Sequence, residues 1–222
     1  MSKINRNARA YWDDQSSSRG SWHRKYAPDE DDFLQAGLKK IKKRFGPKVA
    51  RLDPNSRVLD IGCGIGRFTL PLSESRSDLT FYGIDISATM IRRANQRCGY
   101  RPNLTYVRGN GIDLDMFDDE FFDLVYSYVV FQHMPESTFR SYFAEVSRVL
   151  KPGGTFYFQL QYDREKLGDK KMLSEEDYRT IRFYSPGDVR EIAVDKLRVT
   201  KVSDVSNRDR LHDMFVEALK PR

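Results

Sequence analysis

Val58-Leu59-Asp60-Ile61-Gly62-Cys63-Gly64-Ile65-Gly66 decides the fold of this 222-residue chain: an aliphatic run carrying one acid passes straight into glycines at alternate positions. The aliphatic run reads as a buried strand. Without a Cβ, Gly62, Gly64 and Gly66 can take φ > 0 and let a ligand approach the main chain. Residues 66–75 read as the helix that follows, its N-terminal amides facing the same place and favouring an anion such as a carboxylate. The spacing is G-x-G-x-G, with Arg67 where the dinucleotide fingerprint G-x-G-x-x-G wants its last glycine.

Working outward, Phe81-Tyr82-Gly83-Ile84-Asp85 is a second apolar strand ending in a carboxylate. It lies roughly the 20 residues downstream at which an acid meets ribose hydroxyls in mononucleotide sites. From residue 57 onward strands alternate with helices: strand 57–61, helix 66–75, strand 79–85, helix 87–98, strands 104–108 and 122–128, helix 135–150, strand 154–161, helix 186–195, strands 197–203 and 213–219. That alternation predicts a parallel sheet covered on both faces. Ser87 is placed to cap the helix after Asp85, and Ser185-Pro186-Gly187-Asp188 combines a cap, a first-turn proline and an acidic first turn.

At this point the chain resembles the class I S-adenosylmethionine-dependent methyltransferases, and the resemblance runs in order from residue 58 to about 160. Val107-Arg108-Gly109-Asn110-Gly111 with Asp113-Leu114 is similar to the family's adenine-holding segment after the third strand. Phe122-Asp123-Leu124-Val125-Tyr126-Ser127 resembles the fourth strand, and Phe131-Gln132-His133-Met134-Pro135 its exit loop. Arg148-Val149-Leu150-Lys151-Pro152-Gly153-Gly154 resembles the turn into the fifth. The resemblance implies an α/β fold: a doubly wound, mostly parallel seven-stranded sheet with helices on both faces and an antiparallel final strand. The implied cofactor is S-adenosyl-L-methionine, released as S-adenosyl-L-homocysteine.

It also implies roles. Asp85 would accept from both ribose hydroxyls, and Asp60 would help hold the glycine loop and the cofactor's ammonium. Gly62 and Gly64 would contribute backbone. Asn110, where family members usually have Asp, would accept from the adenine amino group, and the Gly111 amide would donate to a ring nitrogen. Ile86 and Ile112 would sandwich the ring. Ser127, at the end of the fourth strand, joins the cofactor-binding set, and Tyr11 and Trp12 resemble an N-terminal aromatic pair that closes on the cofactor. Methyl transfer is an in-line displacement, so the protein chiefly aligns the partners and excludes water. An acceptor hydroxyl or ammonium also needs its proton removed, and His133 is the best-placed general base. The other reading of His133 is a structural histidine bonding to nearby backbone.

Composition bounds the rest. With 39 % hydrophobic residues the chain can build a sizeable core, and no run of about 18 apolar residues offers a membrane span. A cytoplasmic protein, unsecreted and without membrane contact, is the expectation. Cys63 and Cys98 provide neither a disulfide framework nor metal-ligand spacing. The net charge of +6 concentrates in Lys39, Lys40, Lys42, Lys43, Lys48 and Arg51. Leu34, Leu38, Ile41, Phe45, Val49 and Leu52 recur at spacings of three and four beside them, which predicts an amphipathic helix with a solvated basic face, interrupted or kinked at Gly46-Pro47.

Residues 1–29, with Tyr11, Trp12, Trp22, His23 and Tyr26 among charges, read as an arm over the active site, and 30–222 as one methyltransferase domain. Within it, 161–184 is longer than a crossover needs and is the candidate substrate lid, the other reading being a surface excursion packed on the sheet edge. Ser127-Tyr128-Val129-Val130 stands where amino-directed enzymes carry an Asn/Asp-Pro-Pro-Tyr-type run, which disfavours base methylation, and neither cysteine is placed for cytosine C5 chemistry. The leading expectation is a small-molecule acceptor methylated on O or N. An RNA methyltransferase using the basic helix ranks behind it, then a catalytically silent S-adenosylmethionine-binding partner subunit. The oligomeric state stays open.

Overall fold

The computed structural model describes residues 3–17, 30–163, 181–193, 195–205 and 212–222. The chain divides into two compact units, Met1–Gly111 and Ile112–Arg222. Trp22, His23 and Tyr26 of the arm lie outside the described residues, as do 164–180 of the predicted lid.

In the first unit, helix α1 (Lys3–Ser17) precedes α2 (Glu30–Lys40), which runs through one π-helical turn (Ile41–Phe45) into a last helical stretch (Gly46–Val49). Then come β1 (Arg57–Ile61), α3 (Thr69–Ser75), β2 (Thr80–Asp85), α4 (Ala88–Cys98) and β3 (Leu104–Arg108). The three strands pair in parallel, Val58 against Phe81 and Phe81 against Leu104. The second unit holds β4 (Phe122–Ser127), a 3-10 turn (Phe131–His133), α5 (Glu136–Val149), β5 (Leu150–Tyr162), α6 (Pro186–Ala193), β6 (Arg198–Val205) and β7 (His212–Leu219). Here β4 and β5 are parallel, while β7 runs antiparallel to both β5 and β6. The strand order is β3-β2-β1 in the first unit and β4-β5-β7-β6 in the second.

Two sequence expectations need correction. Helix α3 begins at Thr69 rather than 66, because Gly62, Gly64 and Gly66 stand at φ 74°, 55° and 74° and the chain cannot turn helical until it has left them. The predicted interruption at Gly46-Pro47 is present, with Pro47 in the first turn of the last helical stretch. Gly46 stays right-handed and donates its amide to Ile41 O, five residues back, so the added residue is absorbed as a π turn. The buried stripe of that helix is Phe33, Gly37, Ile41, Phe45 and Val49, with Leu34 and Leu38 only half-buried. Strict spacing by four drifts around a 3.6-residue helix, and the wider π turn corrects that drift.

The Gly37 position exists for Arg67. A Cβ there would stand 2.5 Å from Arg67 Cγ, and the Arg67 guanidinium lies 3.8 Å above the Phe33 ring and 4.6 Å from that of Phe68. The residue that replaces the last fingerprint glycine thus clamps the glycine loop to α2 by a cation–π contact.

The caps form as expected. Ser87 Oγ accepts from the Met90 amide, and Ser185 and Asp188 bond reciprocally at the start of α6. Beneath the carboxyl end of β4, fully buried Phe131 meets Phe139, Phe156 and Phe158 at centroid distances of 4.9, 5.7 and 6.0 Å. That aromatic cluster roots the β4 exit in the core.

Candidate cofactor site and the exit of the fourth strand

Asp85 ends β2 with both carboxylate oxygens engaged. Oδ2 accepts from the Gly64 amide at 2.9 Å and Oδ1 from the Ser87 amide at 2.8 Å. An ionised carboxylate has about four acceptor positions, so these two bonds do not exhaust it. Burial pushes the Asp85 carboxyl up to about 6, and Asp13 adds to the rise, against the opposing pull of the Ser87 and Gly64 amides. Donors to Asp85 therefore find a full acceptor only above that pH. A raised folded pKa also means that this group's contribution to stability is fully present below the ordinary 3.8 and is lost as pH rises through 6.

Around it the glycine loop closes on itself. The Gly62 and Cys63 amides both donate to Ile84 O, at 2.7 and 3.1 Å, and the Gly66 amide donates to Cys63 O at 3.0 Å. The amides of Gly62, Cys63, Gly64 and Gly66 thus have partners within the protein. What the loop offers is room. A Cβ added at Gly64 would meet nothing within 4 Å, whereas one at Gly66 would overlap Tyr106 Oη of β3. So Gly66 admits a neighbouring strand's side chain, and Gly64 leaves open space beside Asp85. Asp60, 2 % exposed, accepts from Thr69 Oγ1 at 2.6 Å and ties β1 to the start of α3. Burial drives the Cys63 thiol well above its ordinary range, which makes it a packing residue.

After β3, Gly109 continues the ladder to Asp85 O at 2.9 Å. Gly111, at φ 75°, lies under Ile86, whose Cδ1 would stand 2.5 Å from a Cβ there. Asn110 and Ile86 are half-exposed at this edge, as is Ile112.

Sequence reasoning missed the two residues that dock α1. Asp13 Oδ1 accepts from Ser87 Oγ at 2.7 Å and from the Thr89 amide at 3.3 Å, and Oδ2 meets Arg108 at 3.3 Å. Arg9 donates to Gly109 O at 3.1 Å. Their i, i+4 spacing was the available signal. Tyr11 and Trp12 lie between them, half-buried, with rings 5.0 Å apart at 75°.

In the second unit Ser127 ends β4 fully buried, and His133 closes the 3-10 turn at 6 % exposure, its amide donating to Val130 O. The Arg182 amide donates to Gln132 O, and Gln161 forms a bridge with Phe183, so the described end of the predicted lid returns beside the exit turn. Among the described residues no cluster of His, Cys, Asp or Glu could hold a metal, and no helix is long and apolar enough to cross a membrane.

The family model for a methyltransferase domain matches residues 58–154, and over that stretch the chain is similar to this family. An uncharacterized methyltransferase of Synechocystis is 38 % identical over 105 residues, covering 47 % of each chain. The cyclopropane-fatty-acyl-phospholipid synthase of Escherichia coli is 31 % identical over 153 residues, which is 66 % of this chain and 32 % of that protein. The chain thus spans half or less of the length of these two relatives. Magnesium protoporphyrin IX methyltransferase from Synechocystis, solved with S-adenosylhomocysteine bound, shares the fold with a TM-score of 0.72 at 20 % identity, over 98 % of this chain and all of that one.

Proposed function

We propose that this chain moves a methyl group from S-adenosylmethionine to an oxygen or nitrogen of a small-molecule acceptor in the cytoplasm. The observation that carries the cofactor half is Asp85. Its carboxylate is oriented by backbone amides, retains acceptor capacity, and borders the open space above Gly64. That is the arrangement a ribose diol fits. Ile86 over Gly111 gives an apolar wall for a purine, and Asn110 an amide oxygen for its exocyclic amine. Asp60 holds the loop, Gly62 and Gly64 keep it open to the ligand, and Ser127 completes the set.

Asp13 and Arg9 hold α1 at the ends of β2 and β3, and as part of a 1–29 arm Tyr11 and Trp12 would close on the cofactor. Residues 161–184 of the 30–222 domain act as the lid. When bound, the cofactor supplies a methyl group already activated by the sulfonium. The chain's own tasks are to exclude water, align the acceptor and, through His133, take its proton.

A fatty-acyl phospholipid and a magnesium porphyrin stand in the names of two of the proteins above, which supports a small acceptor over nucleic acid. The basic helix favours the RNA alternative, since Lys39, Lys42 and Lys43 are exposed and Lys40 half-exposed. The test is S-adenosylhomocysteine release against a metabolite panel, with and without RNA; cofactor binding without release on any acceptor would mark a silent binding subunit. Neutralising the four lysines together is expected to leave small-substrate turnover within about twofold. Filter binding of structured RNA at two salt concentrations checks it: a tight, steeply salt-sensitive complex that the quadruple variant loses would make RNA the acceptor.

The Asp85 carboxyl gives a second expected result. S-Adenosylhomocysteine affinity should be flat well above pH 6 and fall as pH drops through it, by about tenfold at one unit below. Calorimetric titration from pH 5 to 8 measures this, and Asp85→Asn should remove the dependence.

A further inference from the structure

Val129, two residues past the end of β4, stands at φ 61°. The other described non-glycine residues at positive φ are Asn55, Glu120 and Asp195. A β-branched side chain in the left-handed region is the costliest of these, and such backbone persists only where its surroundings hold it.

The holding group is a side chain from β5. The Val129 amide donates to Gln159 Oε1 at 3.1 Å, and Gln159 is fully buried. Gln159 Nε2 donates to Leu160 O at 2.8 Å and to Asp213 Oδ1 at 3.1 Å, and Gln161 Nε2 reaches the same oxygen at 2.9 Å. Asp213 thus fixes which way the amide points: an ionised carboxylate accepts only, so Nε2 must face it and Oε1 must face Val129. Register fixes Asp213, which pairs with Gln161 across β5 and β7. Tyr128, next to Val129, stacks on Phe215 of β7 at 6.2 Å and 16°.

We infer that Gln159, oriented by Asp213, is a positioning residue that holds the strained Val129 peptide and, through it, the β4 exit turn that carries His133. Its functional meaning rests on the reading of that turn as part of the acceptor site. The two amides and the carboxylate touch no reacting atom. They set the direction in which the chain leaves β4, and misplacing a catalytic group by about an ångström can cost on the order of 100-fold in rate.

The test is made on the full chain and needs no acceptor. His133 imidazole signals are recorded by 15N NMR, assigned with His133→Gln, and Val129 amide exchange is followed by mass spectrometry. Gln159→Ala should shift the His133 signals and speed Val129 exchange by about tenfold or more. Adding Val129→Gly should return the His133 signals towards wild type, because glycine takes φ 61° without a strap. Gln159→Glu should misplace the turn, since two carboxylates then face each other, and Gln159→Glu with Asp213→Asn should restore it, the new amide donating to the new carboxylate. This pair keeps the test decisive if Gln159→Ala does not fold.

Unchanged His133 signals and Val129 exchange in a folded Gln159→Ala protein overturn the inference. So does a glycine double variant that rescues nothing. With an acceptor in hand, kcat should fall roughly 10- to 100-fold while S-adenosylhomocysteine affinity holds. If the turn moves as stated and kcat does not, the acceptor-site reading fails and the positioning role stands.

Discussion

Asp85→Ala is expected to weaken S-adenosylhomocysteine binding by about 10- to 150-fold, the equivalent of roughly 1.5 to 3 kcal/mol for hydrogen bonds to a charged group. The variant removes the acceptor for the diol and also strands two internal donors, the amides of Gly64 and Ser87. Both effects act in one direction, so the loss should lie towards the upper end of the range. Asp85→Asn keeps one of the two accepting oxygens, so it strands one internal amide instead of two and presents an NH2 group in place of the other oxygen. Isothermal titration on folded variants measures the effect. Unchanged affinity in Asp85→Ala would remove Asp85 from the cofactor site.

His133→Ala should lower kcat by roughly 100-fold or more if His133 takes the acceptor's proton. A base that must be neutral to act gives kcat a rising acid limb, and the variant should lose that limb along with the rate. Asp85, raised to about 6 by burial, acts through cofactor binding, so its limb belongs to affinity and disappears from kcat at saturating cofactor. Measuring kcat against pH at saturation therefore isolates His133. A structural histidine, buried at 6 % exposure in its 3-10 turn, would instead lower the melting temperature and leave the profile's shape intact. A variant with most of its rate and the same pH dependence would strike His133 from the catalytic set.

Much of the frame was legible because it is written in local patterns. Strands β1 to β4 stand where alternation and terminal acids put them, and Ser87 and Ser185 cap the helices they precede. The glycine loop was legible as a place of close approach, yet its detail was not. Which glycine borders open space and which faces Tyr106 depends on a β3 side chain 40 residues along the chain, and no spacing within the loop encodes it. The same holds for its amides, which are satisfied by Ile84 O and Asp85 across the β1–β2 pair. The docking of α1 by Arg9 and Asp13 and the strap on Val129 are tertiary in the same sense. Each joins residues whose proximity is set by packing, and Val129 in particular gives no local sign of its left-handed backbone, since valine is the wrong residue for it.

The clamp between Arg67 and α2 bears on where this chain can be cut. The family match starts at residue 58, which invites a fragment beginning just before β1. Such a fragment would lose the Phe33 ring that seats the Arg67 guanidinium and the Phe45 ring packed 5.1 Å from Phe68. It would also strip Arg76 of the Val49 and Leu52 carbonyls that it bonds at 2.9 Å. The smallest piece able to keep its cofactor loop in shape therefore starts upstream of Phe33, and the basic helix serves as the loop's foundation whatever its outer face does.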